Sequence, residues 1–120
     1  MEDYLIREID KIGEMLMHVA RRLGLIGQES PKYSVEDVKA EFGKASLPLE
    51  LDAILQKPNP VRYLVDTKKL SDQGLEAFVD IVFHSDLPDA QKQALLADAL
   101  AWLDSKGYYS FRLHSLEIQE

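Results

Sequence analysis

The feature that most constrains this chain is an apolar stripe near its start. Six aliphatic residues follow one another there at spacings of 4, 3, 4, 3 and 4, namely Leu5, Ile9, Ile12, Leu16, Val19 and Leu23. Because an α-helix has about 3.6 residues per turn, this spacing places all six on one helical face. Gly24 and Gly27 then offer a helix stop. The pattern predicts a long amphipathic first helix with a charged opposite face.

The remainder of the chain also favours helices. The chain as a whole contains 18 leucines and 10 alanines against 14 valines and isoleucines together, a balance that suits helices better than strands. Ser34 is followed three positions later by Asp37, which predicts a capped helix start. Apolar runs predict two more long helices, from about Ser71 to His84 and from about Asp89 to Lys106.

Two segments are open between helix and strand. Val61–Val65 has the alternation and branching of a short strand, and it also suits a helical turn. Tyr108–Ile118 allows either an extended edge or a helix. A helix is favoured for this second segment, because a helical hairpin would bury Tyr108 or Phe111 against Trp102.

These patterns predict an all-α fold for residues 1–120, a single compact domain of about five or six helices packed as hairpins or a bundle. The opening Asp-Tyr-Leu-Ile-Arg of residues 3–7 resembles the start of small bacterial all-helical proteins. That resemblance implies a helical fold and no known activity. Residues 89–120, a helix, a turn and a helix, resemble one unit of a tetratricopeptide-like repeat, without a visible second copy.

Charge and composition exclude several classes of protein. The chain has 21 acidic and 14 basic residues, a net charge of −7, which disfavours non-specific binding to nucleic acid. It has no cysteine, and its longest runs without a charged residue are six residues long, too short to span a membrane. We expect a cytoplasmic protein with no nucleic-acid or membrane partner.

The acidic excess lies in the second part of the chain. Residues 71–120 hold 9 acidic and 3 basic residues, whereas residues 1–70 hold 12 and 11. Two interpretations are open, a docking surface for a basic partner and a solvated face that keeps the protein soluble.

Residues that could carry catalysis or bind metal are few. Glu14 with His18 and Asp80 with His84 have the spacing of a metal-binding pair on a helix, and equally that of an acid and histidine pair that supports the helix. The neighbouring residues 84–86, His-Ser-Asp, fan outward and cannot converge as a hydrolytic triad. No catalytic residue, metal or cofactor is expected. The alternative is a small helical metal-binding protein or enzyme that assembles carboxylates and histidine in space.

Two groups of residues are candidates for an interface. Ile9 and Leu16 belong to the first stripe, which has the spacing of a coiled-coil seam and also of an ordinary core face. Trp102, Tyr108 and Tyr109 cluster about the end of the predicted long C-terminal helix, and aromatic residues concentrate binding energy at interfaces.

For the aromatic group, we expect Trp102 and Phe111 to point inward and Tyr109 outward. The predicted function is a non-enzymatic protein–protein interaction or self-association module, with a protein partner or a second copy in a homodimer.

Overall fold

The structure, a computed structural model, describes residues 11–24, 33–47 and 49–118, and most of these residues are helical. Its seven α-helices are α1 (Lys11–Arg22), α2 (Val35–Lys44), α3 (Leu51–Leu55), α4 (Pro60–Arg62), α5 (Asp72–Phe83), α6 (Asp89–Ser105) and α7 (Phe111–Ile118). A π-helical turn, Tyr63–Thr67, follows α4. These residues include no strand, which confirms the predicted all-α class.

Helix α5 is the central element of the fold. It packs against α1, α2, α6 and α7, and Phe78, Val79 and Ile81 on it are fully buried. Leu16 and Val19 of α1 are also fully buried in the same hydrophobic cluster. Burying a side chain of this size contributes about 1.5–3 kcal/mol. The stripe on α1 is therefore a core face wherever the structure describes it.

Two glycines let α1 and α5 approach closely. Gly13 and Gly74 face each other in the contact between the two helices, and both are buried. A Cβ atom added at Gly74 would lie 3.2 Å from the Cα atom of Gly13 and 3.0 Å from the Cγ atom of Leu70. Optimal separations between carbon atoms are about 3.5–4.0 Å. The contact between α1 and α5 therefore depends on the missing side chain.

Val61–Val65 is helical and not a strand, the two states that its sequence allows. The Asn59 side chain accepts a hydrogen bond from the Arg62 amide at 3.2 Å, and Pro60 occupies the first helical turn, where its missing amide costs nothing. The chain then widens into the π-helical turn. The proline in the first helical turn and the asparagine cap together outweigh the strand-like branching of this segment.

The start of α2 is attached to the end of α5. Ser34 and Asp37 form the predicted capping box, with amide-to-side-chain distances of 3.0 and 3.1 Å. The Val35 amide donates to Asp86 Oδ1 at 2.9 Å, and the Tyr33 hydroxyl donates to the Ile81 carbonyl at 2.6 Å. Burial raises the pKa of Tyr33, so its hydroxyl stays a donor.

Helices α6 and α7 form the predicted hairpin around Gly107. This glycine has φ +78°, a left-handed conformation that suits glycine. Its amide donates to the Asp104 carbonyl at 3.0 Å, and the Tyr108 amide donates to the Leu103 carbonyl at 2.9 Å. This pair of bonds is the Schellman motif that closes many helices. The favoured helical state of the C-terminal segment is confirmed by α7.

Candidate interaction surface

An exposed aromatic corner lies where the chain enters α7. Phe111 is 81% exposed and Tyr109 is 59% exposed. Their rings meet edge to face, with centroids 4.8 Å apart and an interplanar angle of 77°. The other side of Tyr109 stacks on His114 at 4.6 Å. We call Tyr109, Phe111 and His114 the aromatic corner.

Ser110 explains why both of its neighbours face outward. This residue is 1% exposed, and its hydroxyl accepts from the Leu113 amide at 3.1 Å and donates to the Glu76 carboxylate. Because Ser110 occupies the buried N-cap position just before α7, Tyr109 and Phe111 on either side of it point away from the core. The expectation that Phe111 points inward is therefore wrong, whereas Tyr109 points outward as predicted.

Tyr108, and not Phe111, is the residue of this segment that points towards the core. It is half-buried and packs against the hydrophobic cluster. Burial raises the pKa of Tyr108, with a further contribution from the nearby Glu76 carboxylate. Of the two adjacent tyrosines, Tyr108 anchors the turn to the core and Tyr109 is the exposed one.

A row of exposed alanines runs along α6. Four alanines at spacings of 4, 3 and 4 share its outer side, namely Ala90, Ala94, Ala97 and Ala101, and all four are exposed. The opposite side of α6 carries Leu96, Ala99 and Leu103, which are buried. At about 1.5 Å of rise per residue, the exposed row is about 16 Å long. We call these four residues the alanine face.

The alanine face and the aromatic corner form one continuous surface. Asp104 follows Ala101 by three residues and therefore lies on the same side of α6. Its Oδ1 atom is 3.7 Å from Nε2 of His114, and His114 stacks on Tyr109. One exposed surface thus runs from the first turn of α6 to Phe111.

The charges on the outer side of α6 are acidic. At 100° per residue, Asp98 and Asp104 lie on opposite edges of the alanine face, and both are exposed. Lys92 belongs to the other side of the helix. Its Nζ atom is 3.1 Å from the Ser85 carbonyl, and its side chain is only 16% exposed. Within α6, therefore, the charged residues beside the alanine face are aspartates.

Trp102 lies next to this surface, and two basic side chains make cation–π contacts with its ring. The Arg62 guanidinium is 5.4 Å from the indole centroid, and Lys106 Nζ is 5.3 Å from it. Arg62 Nε is also 3.3 Å from Asp66. Trp102 is half-buried, so this indole is a partly covered neighbour of the surface and not its exposed centre.

An ionic cluster fixes α7 on α5 and so places the aromatic corner. The side chain of Asp80 is only 9% exposed, and one of its oxygens is 2.7 Å from Nε of Arg112. His84 Nδ1 is 2.9 Å from the Asp80 carbonyl and 3.3 Å from its carboxylate. This hydrogen bonding to Asp80 raises the pKa of His84 against the opposing effect of burial.

Among the described residues considered for chemistry, Asp80 and His84 lie together as an acid and histidine pair. Glu14 and His18 are exposed on α1, and the described residues contain no group of three or more potential metal ligands. The Ser85 hydroxyl donates to the Val82 carbonyl, and Asp86 accepts from α2. Ser85 and Asp86 of the 84–86 segment thus both have structural hydrogen-bond partners.

The predicted interface residues therefore have different positions. Ile9 lies outside the described residues. Leu16 is enclosed by its own chain, so its assignment to an interface is corrected, and it is a core residue. Trp102 and Tyr108 are half-buried, and Tyr109 belongs to the aromatic corner.

The alanine face was missed by sequence reasoning. Alanine occurs in cores and on surfaces alike, so its helical spacing is a weak signal. The useful signal is that α6 has leucines on its other sides, which leaves the four alanines at 90, 94, 97 and 101 as an apolar face without a place in the core.

No helix among the described residues is long and apolar enough to cross a membrane. The chain matches no protein-family model, no curated protein and no solved structure. The resemblances at residues 3–7 and 89–120 therefore stay predictions.

Proposed function

We propose that this protein is a non-enzymatic interaction domain that binds a protein partner through the aromatic corner and the alanine face. The observation that carries the proposal is the 81% exposure of Phe111 beside the 59% exposure of Tyr109. An exposed apolar patch of a few hundred Å² on a monomeric protein often marks an interaction site. Aromatic side chains also supply much of the binding energy at interfaces.

The two rings offer enough surface to anchor a partner. An aromatic side chain buries about 150–250 Å² when it is covered. At these exposures Phe111 and Tyr109 together present roughly 250 Å². Covering this area would contribute about 6 kcal/mol at about 25 cal/mol per Å², before the cost of association is subtracted. The alanine face adds further contact area.

A selection from a displayed library of helical peptides tests the proposal. Peptides would be selected on the wild-type protein and then measured on two variants, Phe111→Ser and Met17→Ser. Met17 is an exposed apolar residue, 43% accessible on α1, and serves as the matched control. We expect the selected peptides to lose about tenfold or more in affinity for Phe111→Ser, because an aromatic anchor is removed, and to keep their affinity for Met17→Ser. Equal binding to both variants would place the binding site elsewhere.

The described part of the α1 stripe does not support the predicted homodimer. Leu16 and Val19 are fully buried, so the described part of the α1 stripe is not available to a second folded copy. Light scattering coupled to size exclusion, on wild-type protein and Phe111→Ser, tests self-association through the aromatic corner. A cytoplasmic location is part of the proposal.

A further inference from the structure

We infer that the partner presents a basic amphipathic helix, which lies along the alanine face with lysines or arginines against Asp98 and Asp104. This inference rests on the proposed function and specifies the chemistry of the partner. It follows from the shape of the α6 surface and from the sign of the charges at its edges.

The shape of the surface suits a helix. The row of methyl groups is straight and about 16 Å long, roughly three turns. Small side chains let a second helix approach to the short end of the usual range, about 8 Å between axes. Phe111 and Tyr109 are at one end of the row and offer a contact for a large apolar residue at the end of the partner helix.

The charges at the edges select a basic partner. Asp98 is exposed along one edge and Asp104 along the other, and Lys92 is held on the far side of α6 by its contact with the Ser85 carbonyl. Two cations, Arg62 and Lys106, lie over the Trp102 ring on the Asp98 side of the face. A third, Arg112, is next to Phe111 and is paired with Asp80. Complementary charges at the rim of an interface raise the association rate and exclude partners of the wrong sign.

The same charges disfavour a second copy of this chain as the occupant. In an antiparallel pair of α6 helices related by a two-fold axis, Asp98 of both copies lies along the same edge. A self-pair would bring carboxylates to both edges, in a chain whose net charge is already −7. Like charges placed together across an interface weaken it. A basic helix meets the same face without this repulsion.

Two synthetic peptides serve as probes for the full-length protein. Both are about 18 residues long, enough for five helical turns, and carry alanine along one face. One has lysine at both edges of that face and the other has glutamate. Binding would be measured by fluorescence anisotropy at low and at high salt. We expect the lysine peptide to bind wild-type protein about tenfold more tightly than the glutamate peptide, and its affinity to fall as salt rises.

Charge reversal on the protein provides the specific test. The double variant Asp98→Lys with Asp104→Lys should lose about tenfold in affinity for the lysine peptide and gain affinity for the glutamate peptide. The matched control is Glu36→Lys with Glu50→Lys, two exposed acids on or beside α2 and α3, which changes the net charge by the same amount. The control should retain most of the wild-type affinity. Circular dichroism establishes that both variants are folded.

Several results would overturn the inference. These are stronger binding of the glutamate peptide to wild-type protein, equal losses in the two double variants, or no binding of either peptide. A dimer that Phe111→Ser abolishes would also overturn it, because the second copy would then occupy the surface. The last result leaves the proposed function intact, and the library selection tests that function separately in every case.

Discussion

Gly74→Ala tests whether two glycines set the distance between α1 and α5. Alanine is a better helix former than glycine by about 0.5–1 kcal/mol, so the substitution by itself favours α5. The added methyl group, however, would lie 3.2 Å from the Gly13 Cα atom and 3.0 Å from Leu70 Cγ. The Gly13 atom belongs to the backbone, so it moves only if the whole of α1 shifts.

The expected magnitude is a small net loss of stability. Adding a methylene to a close-packed contact typically costs about 1–3 kcal/mol, and the gain in helix propensity offsets about 0.5–1 kcal/mol of it. Gly43→Ala is the matched control, because a Cβ atom at Gly43 in α2 would have no heavy atom within 4 Å. That variant should gain the propensity term alone. The two variants should therefore differ by about 1–3 kcal/mol in free energy of unfolding.

Urea unfolding followed by circular dichroism measures this difference. Equal slopes against urea for wild type and both variants would show that the comparison concerns stability and not the compactness of the unfolded chain. In a thermal scan, 1 kcal/mol corresponds to about 3–6 °C for a chain of this size. If Gly74→Ala proves as stable as Gly43→Ala, the contact between α1 and α5 has room to adjust and the reasoning about the two glycines is wrong.

Three further predictions concern the core, the hairpin and pH. Leu16→Ala should lower the free energy of unfolding by about 2–5 kcal/mol. Met17→Ala beside it should change that free energy by about 0.5 kcal/mol or less. Similar losses for the two variants in urea melts would contradict the burial of Leu16. Ser110→Ala removes the cap of α7, so it should cost about 1–2 kcal/mol in the same assay, and an unchanged midpoint would argue against the cap. Hydrogen bonding to Asp80 raises the pKa of His84 in the folded protein. The stabilisation that protonated His84 gives is therefore present below its unfolded pKa near 6.5, and it is lost as pH rises through its folded pKa. Urea titrations of wild type against His84→Gln across this range should show that loss in wild type alone, and parallel pH profiles would refute it.

Much of the fold could be predicted from the sequence because its strongest signals are local. The stripe containing Leu16, the capping residues Ser34 and Asp37, and Gly107 each act within a few residues, and each is found where it was predicted. Val61–Val65 was ambiguous because its composition suits a strand, whereas its helical state depends on the Asn59 cap just before it.

The candidate surface was harder to predict because it depends on tertiary contacts. Phenylalanine is a typical core residue, so the sequence predicts that Phe111 points inward. In the structure Ser110 occupies the buried position instead, held by its hydrogen bond to Glu76 on another helix. No local sequence pattern shows which face of α7 is buried when that face is fixed by a contact with a residue 34 positions away. The alanine face has the same origin, because exposure of Ala97 and its neighbours becomes visible only once the leucines of α6 are packed.

The attachment of α2 to the end of α5 has a consequence for the order of folding during synthesis. The partners of Tyr33 and Val35 are Ile81 and Asp86, which come 48 and 51 residues later in the chain. The capping box of α2 is local, because Ser34 and Asp37 are three residues apart. Contacts between distant segments form late, because the loop between them must first close. During synthesis on the ribosome, therefore, the start of α2 can bond to Ile81 and Asp86 only after these two residues have left the exit tunnel.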